Sequence, residues 1–169
     1  PATFFTAGPS IQTHIGGPSR FFIGGLNFRA KFEALFTSNT NLQVVARVGL
    51  INSFDSIKQQ SDSVLPHVRT DVARYLREGQ ELSFPRFQFN DFRNPMKSIY
   101  TKFSMGMFEE MFGGYGSEFL YRPFDKSWAI GMEAYRVRQR NYKQRFKFHK
   151  NGSAVDQYET STGHLTFYF

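Results

Sequence analysis

The sequence predicts an all-β fold, an antiparallel meander in a single domain over residues 1–169. Three observations predict it. Apolar residues recur with a period of two rather than 3.6. Polar turn clusters punctuate the alternating runs. Many runs have room for about ten residues, against the 5–6 of an average globular strand.

Thr3 to Ile15 is expected as the first strand, with Gly16-Gly17-Pro18 as its turn. The clearest strand is Leu26 to Phe36. Leu26, Phe28, Ala30, Phe32, Ala34 and Phe36 fall on one face; Asn27, Arg29, Lys31 and Glu33 fall on the other, with Leu35 the exception. A helix would scatter both sets around its circumference. Ser38 to Asn41 is a polar turn, and alternation resumes with Leu42, Val44, Ala46, Val48 and Leu50 against Gln43, Val45, Arg47 and Gly49. The two runs make a long hairpin.

Val68 to Arg77 fits two patterns. Val68, Val72 and Leu76 are spaced by four, which suits a helix. The surrounding meander favours a strand, joined through Glu78-Gly79 to another from Phe84 to Phe92. Asp91-Phe92-Arg93-Asn94-Pro95 reads as a turn. Ile99, Thr101, Phe103, Met105 and Met107 then alternate with Tyr100, Lys102, Ser104, Gly106 and Phe108. Gly113-Gly114 is expected to break or bend that strand. A strand from Tyr115 to Arg122 leads into the turn Pro123 to Lys126. Trp128, Ile130, Met132 and Ala134 open the next strand, which runs on through Arg136, Arg138 and Arg140, where the apolar face turns basic. The last strand sets Leu165, Phe167 and Phe169 against His164, Thr166 and Tyr168. The expected total is about nine strands.

Composition narrows the class. Phe is present 21 times, Leu nine times, and aromatics make up 18% of a chain whose mean hydropathy is only −0.43. That aromatic content argues against disorder. The absence of cysteine excludes a disulfide scaffold and a cysteine-ligated zinc site. No apolar run is long enough for a transmembrane helix. Pro1 follows no Met, so the sequence is read as starting at a processed or cut N-terminus, with any signal peptide outside it. The formal charge of +7 with interleaved aromatics is the generic mark of nucleic-acid binding. No helix-turn-helix, RNP-like or OB-type signal accompanies it, and no nucleic-acid partner is expected.

Long strands with one continuously apolar face fit an outer-membrane-type β-barrel, or part of a larger one, with lipid outside and a polar lumen. They also fit a soluble lipocalin-like barrel with its apolar face inward around a ligand, and a soluble β-sandwich with a Phe-filled core. Arg29, Lys31, Glu33, Arg47, Lys102, Glu118 and Arg122 sit on polar faces that a membrane barrel would turn to its lumen. Phe21, Phe22, Phe36, Tyr100, Trp128 and Tyr168 near strand ends suit interfacial girdles.

Several segments carry a resemblance. The run from Leu65 to Gly79, LPHVRTDVARYLREG, is similar to a family segment reading LPHVRTD-x-x-RYLREG. Phe108 to Pro123 (FEEMFGGYGSEFLYRP), Trp128 to Gly131 (WAIG) and Val137 to Phe146 (VRQRNYKQRF) are similar to other parts of the same family. Together they resemble the YjbH family of Gram-negative exopolysaccharide proteins, over Val64 to Phe169 and more loosely in the N-terminal third. The resemblance implies an outer-membrane β-barrel lipoprotein assisting polymer export, with polysaccharide and other exopolysaccharide export proteins as partners. Members are much longer, so the chain looks like a section of such a protein. The family's lipidated cysteine is absent here. The family offers no catalytic residues to carry over.

Site candidates follow from these readings. The lumen, or polysaccharide contact, is assigned to Arg29, Lys31, Arg47, Arg69, Asp71, Lys102, Glu118 and Arg122. Read as a strand, residues 68–77 put Arg69, Asp71 and Arg77 on one face, with Arg74 nearby. Arg136, Arg138 and Arg140 form a basic row placed at the membrane rim against lipopolysaccharide phosphates or an acidic polymer. Glu109-Glu110 is an adjacent carboxylate pair that a strand would split between two faces, which does not suit acid–base catalysis. His14, His67, His149 and His164 lack metal-ligand spacing. Gly113 to Gly116 lacks the Lys and helix of a phosphate loop. No cofactor, metal or catalytic set is expected. An outer-membrane barrel enzyme remains the alternative that would need a Ser/His/acid set assembled in space.

Overall fold

The computed structural model describes residues 1–15, 22–56, 71–149 and 158–169. They form one eight-stranded antiparallel sheet whose spatial order is its chain order. The strands are β1 (Ala2–Ile15), β2 (Phe22–Leu35), β3 (Thr40–Asn52), β4 (Ser83–Met96), β5 (Ile99–Met107), β6 (Phe112–Tyr121), β7 (Ala129–Gln139) and β8 (Glu159–Tyr168). Each pairs only with its chain neighbours, so β1 and β8 are the sheet's two edges among the described residues. The fold is the all-β antiparallel meander expected from the sequence.

Ladder register carries the face assignment across the sheet. Arg29 pairs with Gly8 and Arg47, and Phe32 pairs with Phe5 and Val44. Lys102 pairs with Phe92 and Glu118, and Phe103 with Asp91 and Ser117. A register slip by one residue would invert every such face. One face carries the apolar row of each strand, and it lies bare: Ile11 is 75% exposed, Phe5 70% and Leu165 60%, with Phe28, Phe32, Val48, Phe103, Met105 and Met132 also exposed. The other face is polar and holds most of what is buried.

The buried apolar clusters sit at one end of the polar face, where β3 leads to β4 and β7 leads to β8. Two small apolar clusters form there. Ile23, Phe54, Ala73 and Leu76 make one; Tyr75, Met111, Phe112 and Tyr142 make the other. A short 3-10 turn (Phe54–Ser56) and a helix, α1 (Val72–Glu78), contribute to them. Tyr75 and Leu76 are buried in this plug, and Arg74 and Glu78 pair at 2.8 Å on its outside.

Several expectations are corrected. Residues 72–78 are helix rather than strand, which leaves eight strands instead of nine. The spacing-of-four pattern wins there because it places Val72 and Leu76 on the packed side. Asp91 to Pro95 is no turn: β4 continues through it to Met96, and the reversal falls at Lys97-Ser98, where Ser98 takes φ 69°. Gly113-Gly114 does not break a strand but lies inside β6. A Cβ on Gly114 would sit 2.0 Å from the Arg136 carbonyl oxygen, so the missing side chain permits a close backbone approach. The chain instead reverses at Phe108 to Met111. Trp128 lies just before β7 rather than in it.

Candidate functional site

The candidate site is the polar face and the plug at its end. Successive ladder pairs build a belt of hydrogen-bonded side chains across the sheet. Glu33 accepts from Asn41 Nδ2 at 2.6 Å and Gln43 Nε2 at 3.4 Å. Asn90 Nδ2 donates to Asn41 Oδ1 at 2.9 Å, while Asn90 Oδ1 accepts from Gln88 at 2.7 Å and from Ser104 Oγ at 2.8 Å. Asn41, Asn90 and Ser104 are buried. Farther along, Glu118 accepts from Lys102 Nζ at 2.8 Å and from the Tyr135 hydroxyl. Glu133 and His164 meet at 2.7 Å. Such a belt keeps polar groups satisfied while leaving exposed charges beside it.

The plug is held by two arginines. Arg47 opposes Arg29 directly in the ladder, a like-charge pairing that is unfavourable on its own. Arg47 is turned aside: Nη1 pairs with Glu110, and Nη2 donates to Gln144 Oε1 at 3.0 Å. Gln144, fully buried with φ 53°, also donates Nε2 to the Tyr75 carbonyl at 3.0 Å. Arg140 is 0% exposed. Its Nη2 donates to the carbonyls of Phe84 and Gln144, each at 2.9 Å, and of Arg145 at 3.1 Å. Its Nη1 donates to those of Pro85 at 3.3 Å and Glu109. Burial lowers the Arg140 pKa to about 10, against the opposing pull of Tyr75, Glu110 and Glu109. Asp71 Oδ2 accepts from Gln139 at 3.1 Å and from the Tyr142 hydroxyl at 3.2 Å, which ties the start of α1 to the end of β7. The Tyr75 hydroxyl donates to the Arg140 carbonyl.

The structure distributes the sequence-predicted residues among several settings. Arg29, Lys31, Lys102 and Glu118 lie on the polar face as expected. Arg47 starts there but serves the plug, and so does Asp71. Arg69 lies outside the described residues, as do His67 and the turn at residues 16–18. Arg122 lies just past β6, its backbone N–H donating to the Ser98 carbonyl at 2.8 Å, away from the belt. Arg136 and Arg138 lie on the apolar face near the plug end. Arg136 pairs with Glu159 at 2.7 Å, and the Arg138 guanidinium lies 5.7 Å from the Phe148 ring. Arg140 leaves that row: β7 stops at Gln139, and the guanidinium turns inward to the carbonyls. Sequence reasoning missed Gln144, Tyr75 and Tyr142. The signal was available, since the described parts of the segments that carry the resemblance, residues 71–79, 108–112 and 137–146, are those that converge in the plug. Glu109 and Glu110 sit in the β5–β6 turn rather than on a strand; the Glu110 side chain pairs with Arg47, and the Glu109 carbonyl accepts from Arg140. Among the described residues no cluster suits a metal ion.

Comparison with known proteins adds the family. A family model described as exopolysaccharide biosynthesis protein YbjH matches residues 2–169. The chain belongs to the YjbH family. It is 31% identical over 168 residues to a protein of Escherichia coli (strain K12) named uncharacterized lipoprotein YjbH. That match covers 98% of this chain and 23% of the relative, so the chain spans about a quarter of the length of the YjbH protein it matches. No solved structure matches it. The family is related to exopolysaccharide biosynthesis.

Proposed function

We propose that the chain is a section of wall in an outer-membrane β-barrel that assists exopolysaccharide export, the polymer passing along the polar face without catalysis. The observation that carries this reading is the polarity of the sheet. Most of the large apolar side chains lie bare on one face, Phe4 and Phe92 being exposed on the other, where the hydrogen-bonded belt and most of the buried groups lie. A barrel in lipid has that arrangement. A soluble ligand-binding barrel needs the reverse, with the apolar face enclosed.

Further features support the reading. Strands of 9–14 residues are long enough to cross a bilayer when tilted. Phe36, Tyr121 and Trp128 gather at the end of the short turns, where an aromatic girdle would meet the interface, and the Tyr121 and Trp128 rings lie 5.8 Å apart there; Tyr100 and Tyr168, expected in the girdle, fall on the polar face instead. The longer connections and the plug lie at the other end, as extracellular loops do. Arg136 and Arg138 on the outer face at that end would meet lipopolysaccharide phosphates. The relative's description as a lipoprotein agrees with an envelope location for the whole protein. Passage of this kind needs contacts loose enough to release the polymer.

The test uses the full-length protein. It should fractionate with the outer membrane, insert into phospholipid vesicles and conduct in a planar bilayer. A protein that stays monomeric and folded in water without detergent would defeat the proposal.

A further inference from the structure

The polar face is unevenly charged. Across β5–β8 the charges meet partners: Lys102 with Glu118, and Glu133 with His164. Across β2–β4 the acids have contacts other than Arg29, Lys31 and Arg86. Glu33 is held by Asn41 and Gln43, Glu110 pairs with Arg47, and Glu109 has contacts of its own. The cations are left over. Arg29 and Lys31 are exposed and have no acidic partner among the described residues. Arg86 Nε donates to the Phe108 carbonyl at 3.2 Å and has no acidic partner among the described residues.

These three cations line one groove of about 460 Å³, together with Phe4 and Phe108; Glu33, Glu109 and Glu110 line it too, Glu110 turned to Arg47. Phe4 is exposed on the polar face, paired with Glu33 in the ladder. Phe108 lies edge-on to Tyr135 at 5.5 Å. Side chains two apart on a strand stand about 7 Å apart, so Arg29 and Lys31 reach the same short stretch of ligand. An open aromatic ring offers a flat apolar surface to the C–H face of a sugar. A guanidinium beside it offers a forked pair of donors to a carboxylate.

We propose that this groove is a subsite for a carboxylate-bearing sugar residue of the polymer, with Arg29, Lys31 and Arg86 gripping the carboxylate and Phe4 supporting the ring. The proposal rests on the passage reading for the polymer's presence and adds its charge: the wall selects an acidic polysaccharide over a neutral one. Three cations in reach of one another, none with an ion-pair partner among the described residues, are what distinguish it from a general hydroxyl-binding surface.

The experiment is titration calorimetry on the full-length protein in detergent, with hexagalacturonate as the acidic probe and maltohexaose as the neutral one. Hexagalacturonate should bind roughly tenfold tighter, and its affinity should fall as salt rises while that of maltohexaose stays level. The double substitution Arg29→Gln with Lys31→Gln should remove roughly that tenfold advantage and leave maltohexaose unchanged. Equal affinity for the two probes, no hexagalacturonate binding, salt-independent binding, or an unaltered preference in the double variant would each overturn the subsite. Should the double variant fail to fold, the salt series on the unaltered protein decides. Conductance without acidic preference defeats this inference alone; acidic preference without membrane insertion defeats the passage reading alone.

Discussion

A buried guanidinium bonded to carbonyls rather than to a carboxylate is an uncommon solution, and Arg140 shows why it works here. Five carbonyl oxygens, from Phe84, Pro85, Glu109, Gln144 and Arg145, come from three separate stretches of chain. The planar guanidinium aims its two Nη groups in a fixed fork and so reaches several of these oxygens at once, although the Gln144 oxygen also takes the Phe84 N–H at 2.9 Å. Arg140→Met should cost about 3–5 kcal/mol, because the carbonyls are stranded away from water. Arg140→Lys should recover little, since one ammonium does not span the fork. Amide exchange in residues 140–149 reads both outcomes. Tyr75 gives the same region a pH limit. Burial raises its phenol above the usual value, so the folded plug disfavours the phenolate. A raised pKa contributes stability that is fully present below the unfolded value of about 10 and is lost as pH climbs toward the folded one. Protease nicking of the plug should therefore rise above about pH 10. The rise should be shallower in Tyr75→Phe.

Helix α1 is too short to hold itself together, and its place is set by what it packs against. Gly79, just past its end, is the tightest point. A Cβ there would lie 2.3 Å from Gln144 Nε2 and 2.6 Å from the Tyr75 carbonyl oxygen, the two groups that bond each other. Its φ of −84° suits any residue, so Gly79→Ala tests packing alone. It should destabilise the plug by about 1–3 kcal/mol and raise exchange in residues 72–79 while β5–β8 stay protected. The strands were legible from sequence because a period of two repeated over ten or more residues is a strong signal, as in Leu26 to Phe36. The helix was not, because two turns supply only Val72 and Leu76 as pattern, amid a meander. Arg140 was misplaced for a related reason: parity extends a row on paper, but nothing local announces that the ladder ends at Gln139. Arg29, Lys31 and Lys102 were legible because they lie mid-strand, where parity decides the face. Gln144 was not, because its role depends on three elements distant in sequence.

At the scale of the molecule, the bare apolar face and the two open edges make one argument. A sheet with exposed Phe on one side and unpaired strands at both ends is a poor soluble structure. In a bilayer the apolar face meets lipid, but an open edge there leaves backbone groups without partners. On the membrane reading, β1 and β8 must therefore pair with strands beyond this section, which agrees with a relative about four times as long. The face assignment can be tested without touching packing. Ala30 lies mid-strand on the apolar face between Ala7 and Ala46, so a larger side chain there meets the surroundings rather than a neighbour's bulk. Ala30→Arg should cost about 2–4 kcal/mol of folding stability in the full-length protein in phospholipid vesicles, the penalty for a cation at mid-membrane. Thr6→Glu puts a charge on the opposite face, beside its ladder partner Lys31, and should cost less than about 1 kcal/mol because that face is hydrated. Urea titrations of the two variants in vesicles give the comparison. Equal costs for the two charges would mean that both faces see water, and the reading of the sheet as a membrane wall would fall.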